Sequence, residues 1–194
     1  MKRGFKTAAR KLALEVRAEL DLTAFVRFDP YALAVEYGIP VYEVSDLGND
    51  DRARDAARYF DSGLASVFSA ALVPIGDGMF ILDNDCHALV RRRNSISHEM
   101  SHIILEHAFD RVLIGIDGCR CFDKDKEDEA TWLAGELLIP YAAAERAARA
   151  DLMDDQVAEI FEVSTQLAAM RMNSSGARTV IRRKREYSMR RNSS

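Results

Sequence analysis

Apolar and charged residues interleave at helical spacing over residues 6–20, and that period predicts an amphipathic helix. A shorter helix is expected over Tyr31–Tyr37, because Asp29 can cap it, Pro30 suits its first position and Gly38 suits its stop. The run Ile39-Pro40-Val41-Tyr42-Glu43-Val44 reads as a short strand. Phe68 to Ile75 and Met79 to Asp83 read as two more, joined around Gly76-Asp77-Gly78 as a hairpin. Residues 50–61 are dense in charge and read as helical or loose. A helix is expected from about Asn94 to His107, capped by Asn94 or Ser95. Residues 109–122 read as irregular. A further helix is predicted from about Asp123 to Leu138, ending before Pro140. Residues 141–150 are alanine-rich and helical, and residues 154–173 read as helix, turn, helix. The sum is an α+β chain with a small sheet of about three strands.

Composition narrows the class. The chain has 194 residues, 48% of them hydrophobic and 30% charged, as in a soluble globular protein with one domain or one domain and an appendage. No run of eighteen apolar residues exists, which excludes a membrane-spanning helix. The basic start is interrupted by Glu15, Arg17 and Glu19, so no secretory signal forms. Three cysteines cannot make a disulfide framework, and Cys119 and Cys121 are too close for an easy bridge, so a cytoplasmic location is expected. The one-residue spacing of Cys119 and Cys121 does not match a structural zinc knuckle. With Cys86 they read as inert thiols.

Charge is uneven. Lys2, Arg3, Lys6, Arg10 and Lys11 open the chain without an acid. Eight basic side chains and one acid, Glu186, close it from Arg171 onward. The body between is acidic. A solvated basic tail is the simpler reading, and contact with nucleic acid or an acidic partner is the alternative.

Chemistry concentrates in His98-Glu99-Met100-Ser101-His102. Two histidines four apart share one helical face, so both imidazoles can hold one zinc ion. Glu99 is turned about 100° from His98 by the helical repeat. It is placed to take a proton from a water at the metal's open position rather than to join the ligands. Ile96, Met100, Ile103 and His107 project to the opposite face, so the helix can pack its apolar stripe while the histidines face a cleft.

A catalytic zinc needs a third protein ligand. The carboxylates in the run from Glu127 to Leu138 are the candidates. Glu129 and Glu136 lie seven apart on a shared face, away from a stripe of Ala130, Ala134 and Leu137, and periodicity does not choose between them. His107 and His87 read as packed or partly exposed rings. Arg91, Arg92 and Arg93, just before the site, read as solvating the helix entry rather than steering an acidic substrate.

The segment Arg93 to His107 resembles the zinc helix of the ImmA/IrrE metallopeptidase family, with an Arg a few residues before HExxH and an apolar pair, Leu and His, after it. The block Glu129-Ala130-Thr131-Trp132-Leu133-Ala134-Gly135-Glu136-Leu137-Leu138-Ile139-Pro140 resembles that family's E-A-x-x-F-A-x-x-L-L-x-P motif, with Leu133 where Phe is common. Val157 to Ser164, followed by Ala168 and Arg171, resembles its V-A-x-x-F-x-V-S-x-x-A-x-x-x-R stretch. Met100-Ser101 stands in place of the frequent Leu-Gly and leaves the ligand spacing intact. The resemblance covers roughly residues 24–178. It implies a zincin-like fold, with a small mixed or antiparallel sheet, the HExxH helix and a second ligand helix. It also implies His98, His102 and Glu129 as ligands of Zn2+, with Glu99 as general base. The implied substrate is a partner helix-turn-helix repressor (XRE-type), whose cleavage derepresses phage, mobile-element or stress genes. The expected organisation is a zincin-like metallopeptidase domain over 1–150, a helix-turn-helix-like subdomain over 151–178 packed on it, and a flexible basic tail over 179–194.

A rival function is a non-catalytic regulator that binds a repressor or operator DNA. Ala158 and Val163 sit where a helix-turn-helix packs its two helices. The second helix, Ser164 to Asn173, carries Arg171 as its single base, fewer contacts than a recognition helix uses. A helical subdomain that packs or docks a substrate is the better reading.

Overall fold

The structure, a computed structural model, describes residues 1–49, 69–76, 78–107 and 123–192. The charged stretch 50–61, residue 68 at the start of the expected strand, Asp77 in the hairpin turn, and the irregular stretch with Cys119 and Cys121 lie outside the described residues. The chain forms two compact units. One comprises Met1–Lys6 and Asp29–Ala134, the other Thr7–Phe28 and Gly135–Ser194.

In the first unit, helix α2 (Pro30–Glu36) begins where Asp29 accepts a hydrogen bond from Tyr31 N, with proline in its first turn. Gly38 ends it at φ 66°, a left-handed conformation that costs a side-chain-free residue nothing. The chain then enters β1 (Val41–Glu43), followed by a 3-10 turn over Val44–Asn49. Strands β2 (Ala70–Ile75) and β3 (Gly78–Asp83) pair antiparallel, and β1 pairs parallel with β3. The order β1-β3-β2 makes the sheet mixed and puts β3 at its centre. That position explains why Ile81, Leu82 and Asp83 are all buried.

Helix α3 (Leu89–Ile104) carries the HExxH residues. It starts five residues before the expected Asn94 cap, and Ala88 precedes it without a side-chain cap. Two causes are visible. Ser95 Oγ bonds back to Arg91 O within the helix (3.1 Å), so it does not end it. Arg92 anchors the first turns to the sheet by donating to Asp83 Oδ2 (2.8 Å) and to Glu43. Tyr31 donates to the same Asp83 oxygen (2.8 Å). Arg91 donates to Ser69 Oγ from Nη2 (2.8 Å), and Arg93 is buried. The arginine run thus fastens the helix entry rather than merely solvating it. Helix α4 (Lys124–Leu138) begins where Asp123 accepts from Asp125 N (3.0 Å), and the division between the units falls within it.

The second unit is helical: most of α1 (Phe5–Glu19), the end of α4, α5 (Tyr141–Arg149), α6 (Asp154–Phe161), α7 (Thr165–Ser174) and α8 (Ala177–Asn192). Ser164 caps α7 through Leu167 N (3.1 Å). The basic stretch is helical as far as Asn192. Its helix packs through Ala177 and Ile181, which are buried, against α5 and α7.

Arg171 is 1% exposed. It donates from Nε to Ile139 O (2.8 Å) and pairs with Glu136, itself 1% exposed. Gly135 lets this happen: a Cβ there would stand 3.3 Å from Arg171 Cδ. The single base on α7 is therefore internal and cannot meet phosphate, in line with the reading of this stretch as a packing helix.

Candidate metal centre

The site is built on α3 and α4 of the first unit. Small residues let the two helices approach. Ser97 and Ser101 are fully buried, Ser101 Oγ bonds Ser97 O (2.7 Å), and Ser97 Oγ lies 3.5 Å from Ala134 O on α4. Ile96 and Met100, also fully buried, form the packing stripe. His98 and His102 follow Ser97 and Ser101 by one residue, so they emerge beside this contact and face the start of α4.

Two imidazole nitrogens and one carboxylate converge there. His98 Nε2 and His102 Nε2 are 3.1 Å apart. Glu127 Oε2 lies 3.2 Å from His98 Nε2, and Glu127 Oε1 lies 3.5 Å from His102 Nε2. Two ligands at tetrahedral zinc, each about 2.0–2.1 Å from the ion, stand about 3.3 Å apart. Among the described residues, His98, His102 and Glu127 are the group of three His, Cys, Asp or Glu side chains with this proximity, each offering an atom within 4.8 Å of the others. Their types and spacing fit zinc.

Burial sets the protonation of the rings. It pushes His102 from 6.5 down to about 3, helped by the neighbouring His98, His107 and Lys126. Burial also lowers His98, against the opposing charge and hydrogen bond of Glu127. Both rings are thereby kept neutral near pH 7, the form that ligates.

The sequence-predicted residues fall out as follows. His98 and His102 come together as the i, i+4 spacing requires. Glu99 sits between them in sequence on α3, half-buried. Glu129 is not brought to the pair: its Oε2 lies 3.7 Å from His107 Nε2, and its Oε1 accepts from Lys2 N (3.3 Å). The place opposite the histidines is taken by Glu127. Helical period does not separate the two: Glu127 lies seven and ten residues before buried Ala134 and Leu137, and Glu129 lies four and eight before buried Leu133 and Leu137. Glu136, the other candidate, is consumed in the second unit by Arg171, by Arg10 Nε (3.4 Å) and by Tyr141 N (3.0 Å).

His107 is a second departure. An unbroken helix would have carried its ring to the packing face. The helix ends at Ile104 and Glu106 turns left-handed at φ 51°. His107 N then bonds His102 O (3.1 Å), and the two rings meet with their Nδ1 atoms 2.9 Å apart. Cys86 is exposed, and His87 Nε2 lies 3.5 Å from Asn84 Nδ2.

Among the described residues no helix is long and apolar enough to cross a membrane. Neither the curated proteins nor the solved structures contain a match to the chain. Residues 35–173 match the family model of the IrrE N-terminal-like domain, peptidase M78. That span holds α3, α4 and the group His98, His102 and Glu127, and it is more than half of the chain, so the protein belongs to the IrrE N-terminal-like family of M78 metallopeptidases.

Proposed function

We propose that the protein is a zinc-dependent endopeptidase of the HExxH type, with His98, His102 and Glu127 as ligands and Glu99 as general base. The observation that carries this reading is the convergence of two neutral imidazoles and one carboxylate at ligand spacing on two adjacent helices. A zinc ion bound there supplies Lewis acidity, which makes a water more acidic and polarises a peptide carbonyl. His98 and His102 donate from Nε2, the nitrogens that face each other. Glu127 contributes the anionic oxygen that offsets the cation's charge. Glu99, one residue round the helix from His98, takes the proton from water and passes it to the leaving amine. Its placement on a rigid helix beside the ligands, rather than among them, is what that role needs.

The proposed substrate is a helix-turn-helix repressor, cut to release the genes it controls. This substrate rests on family likeness alone. The competing reading, a non-catalytic regulator, is separated from it by one substitution. Glu99→Gln leaves the ligands in place and removes the base. With zinc and a candidate helix-turn-helix repressor, the wild type should cleave, and Glu99→Gln should bind zinc equally while cutting roughly 10²- to 10⁴-fold more slowly. A Gln variant that regulates as well as the wild type would leave the peptidase reading without support.

A further inference from the structure

We propose that His107 and Glu129 are positioning residues that fix the tautomer and orientation of His102, forming a carboxylate–imidazole–imidazole relay behind the metal centre. The inference rests on the zinc reading above for its consequence, though not for its geometry. His102 Nε2 faces His98 Nε2 and Glu127, so to ligate through that atom the ring must carry its proton on Nδ1. Nδ1 points at His107 Nδ1, 2.9 Å away. Only one of the two nitrogens can donate, so His102 donates and His107 accepts. The proton of neutral His107 then belongs on Nε2, the atom that faces Glu129 Oε2 at 3.7 Å.

Each member of the relay is held from behind. The left-handed turn at Glu106 and the bond from His107 N to His102 O lock the second ring against the first. Glu129 takes the backbone N–H of Lys2 (3.3 Å) on its other oxygen. The side chains of His107 and Glu129 are 9% and 14% exposed, so their dipole and charge act on His102 with little screening by water. Metal-bound histidines are commonly steered by an acceptor on their second nitrogen. Here the acceptor is another histidine, with the carboxylate one ring further out. This gives Glu129 a role different from ligation and explains why it lies beside the site without joining it.

The test is zinc affinity, read by competition with a chromophoric chelator, together with nitrogen-15 NMR of the histidine rings in zinc-free protein. His107→Leu should weaken zinc roughly 10- to 100-fold, since it removes the acceptor. His107→Gln, whose amide oxygen can accept the same bond, should recover most of the loss. Glu129→Gln should weaken zinc by less than His107→Leu, while Glu127→Gln and His98→Ala should lose stoichiometric binding. In the zinc-free protein the spectra should show His102 protonated at Nδ1 and His107 at Nε2. Wild-type affinity in His107→Leu would overturn the proposal while leaving the zinc reading intact. So would a Glu129→Gln loss as large as that of Glu127→Gln, which would make Glu129 a ligand. If the wild type takes up no zinc, the zinc reading fails, and the ring tautomers still decide the relay: Nε2–H on His102 overturns it.

Discussion

The helical unit and the cluster on α3 and α4 bury charge-bearing side chains in opposite ways. In the helical unit, Arg171 and Glu136 face each other as opposite charges, with Arg10, Tyr141 N and Ile139 O completing their bonds. Burial lowers Arg171, and Glu136 opposes that shift. Arg17, likewise fully buried, is brought down by burial to about 10 and donates to the carbonyls of Thr23, Val26 and Leu137. Each cation there is matched to fixed oxygens of its own unit. In the mixed-sheet unit, the cluster on α3 and α4 gathers donors of one kind: two imidazoles and one carboxylate, His98, His102 and Glu127, with lone pairs converging on one point. Matched opposites hold a fold together. Converging lone pairs destabilise it in isolation and are the chemistry that takes a cation.

The contrast can be broken first at its structural side. Arg171→Ala leaves Glu136 buried with only Arg10 and a backbone N–H, and should cost about 3–5 kcal/mol of unfolding free energy in denaturant titration. A cost below about 1 kcal/mol would show that the pair is not structural. On the other side, the effect depends on metal. Zinc at a thousand times its Kd should stabilise the wild type by about 4 kcal/mol. His98→Ala should remove that increment entirely while leaving the metal-free protein near wild-type stability. If His98→Ala destabilises the metal-free protein as much as Arg171→Ala does, the two clusters do the same job and the distinction fails.

A pH scan sharpens the comparison further. His102 sits near 3 in the folded protein against 6.5 ordinarily. Between those values the unfolded chain binds a proton that the folded ring refuses, so stability falls as pH drops through about 6.5 toward 3 and is unaffected by this group above that window. The expected slope from this ring is at most about 1.4 kcal/mol per pH unit. Thermal unfolding of zinc-free wild type and of His102→Gln should separate it, with a shallower acid slope in the variant. The smallest effect belongs to the pair Arg27–Glu162, nearly half exposed on both sides. Arg27→Ala should change stability by less than about 1 kcal/mol.

Local signals in the sequence were legible. Asp29, Pro30 and Gly38 bound α2 as their chemistry dictates, and the strands and the pair His98/His102 follow from periods of two and of three to four residues. What required long-range contact was not legible. Asn94 and Ser95 resemble a cap, and only the ties from Arg92 to Asp83 and Glu43 show the helix beginning earlier. Glu129 and Glu136 share a face, yet Arg171, distant in sequence, claims one and His107 the other. The period of α4 does not separate Glu127 from Glu129, since both precede buried positions, and only the packed rings of His98, His102 and His107 tell them apart. His107 escaped because a left-handed residue after a helix reverses the face that periodicity assigns.

The proposed chemistry depends on which side chains hold the ion. An anomalous-difference map at the zinc edge, from crystals of the zinc-loaded protein, should show one peak about 2.0–2.2 Å from His98 Nε2, His102 Nε2 and a Glu127 oxygen. A peak whose carboxylate ligand is Glu129, or no peak between the two histidines, would contradict it.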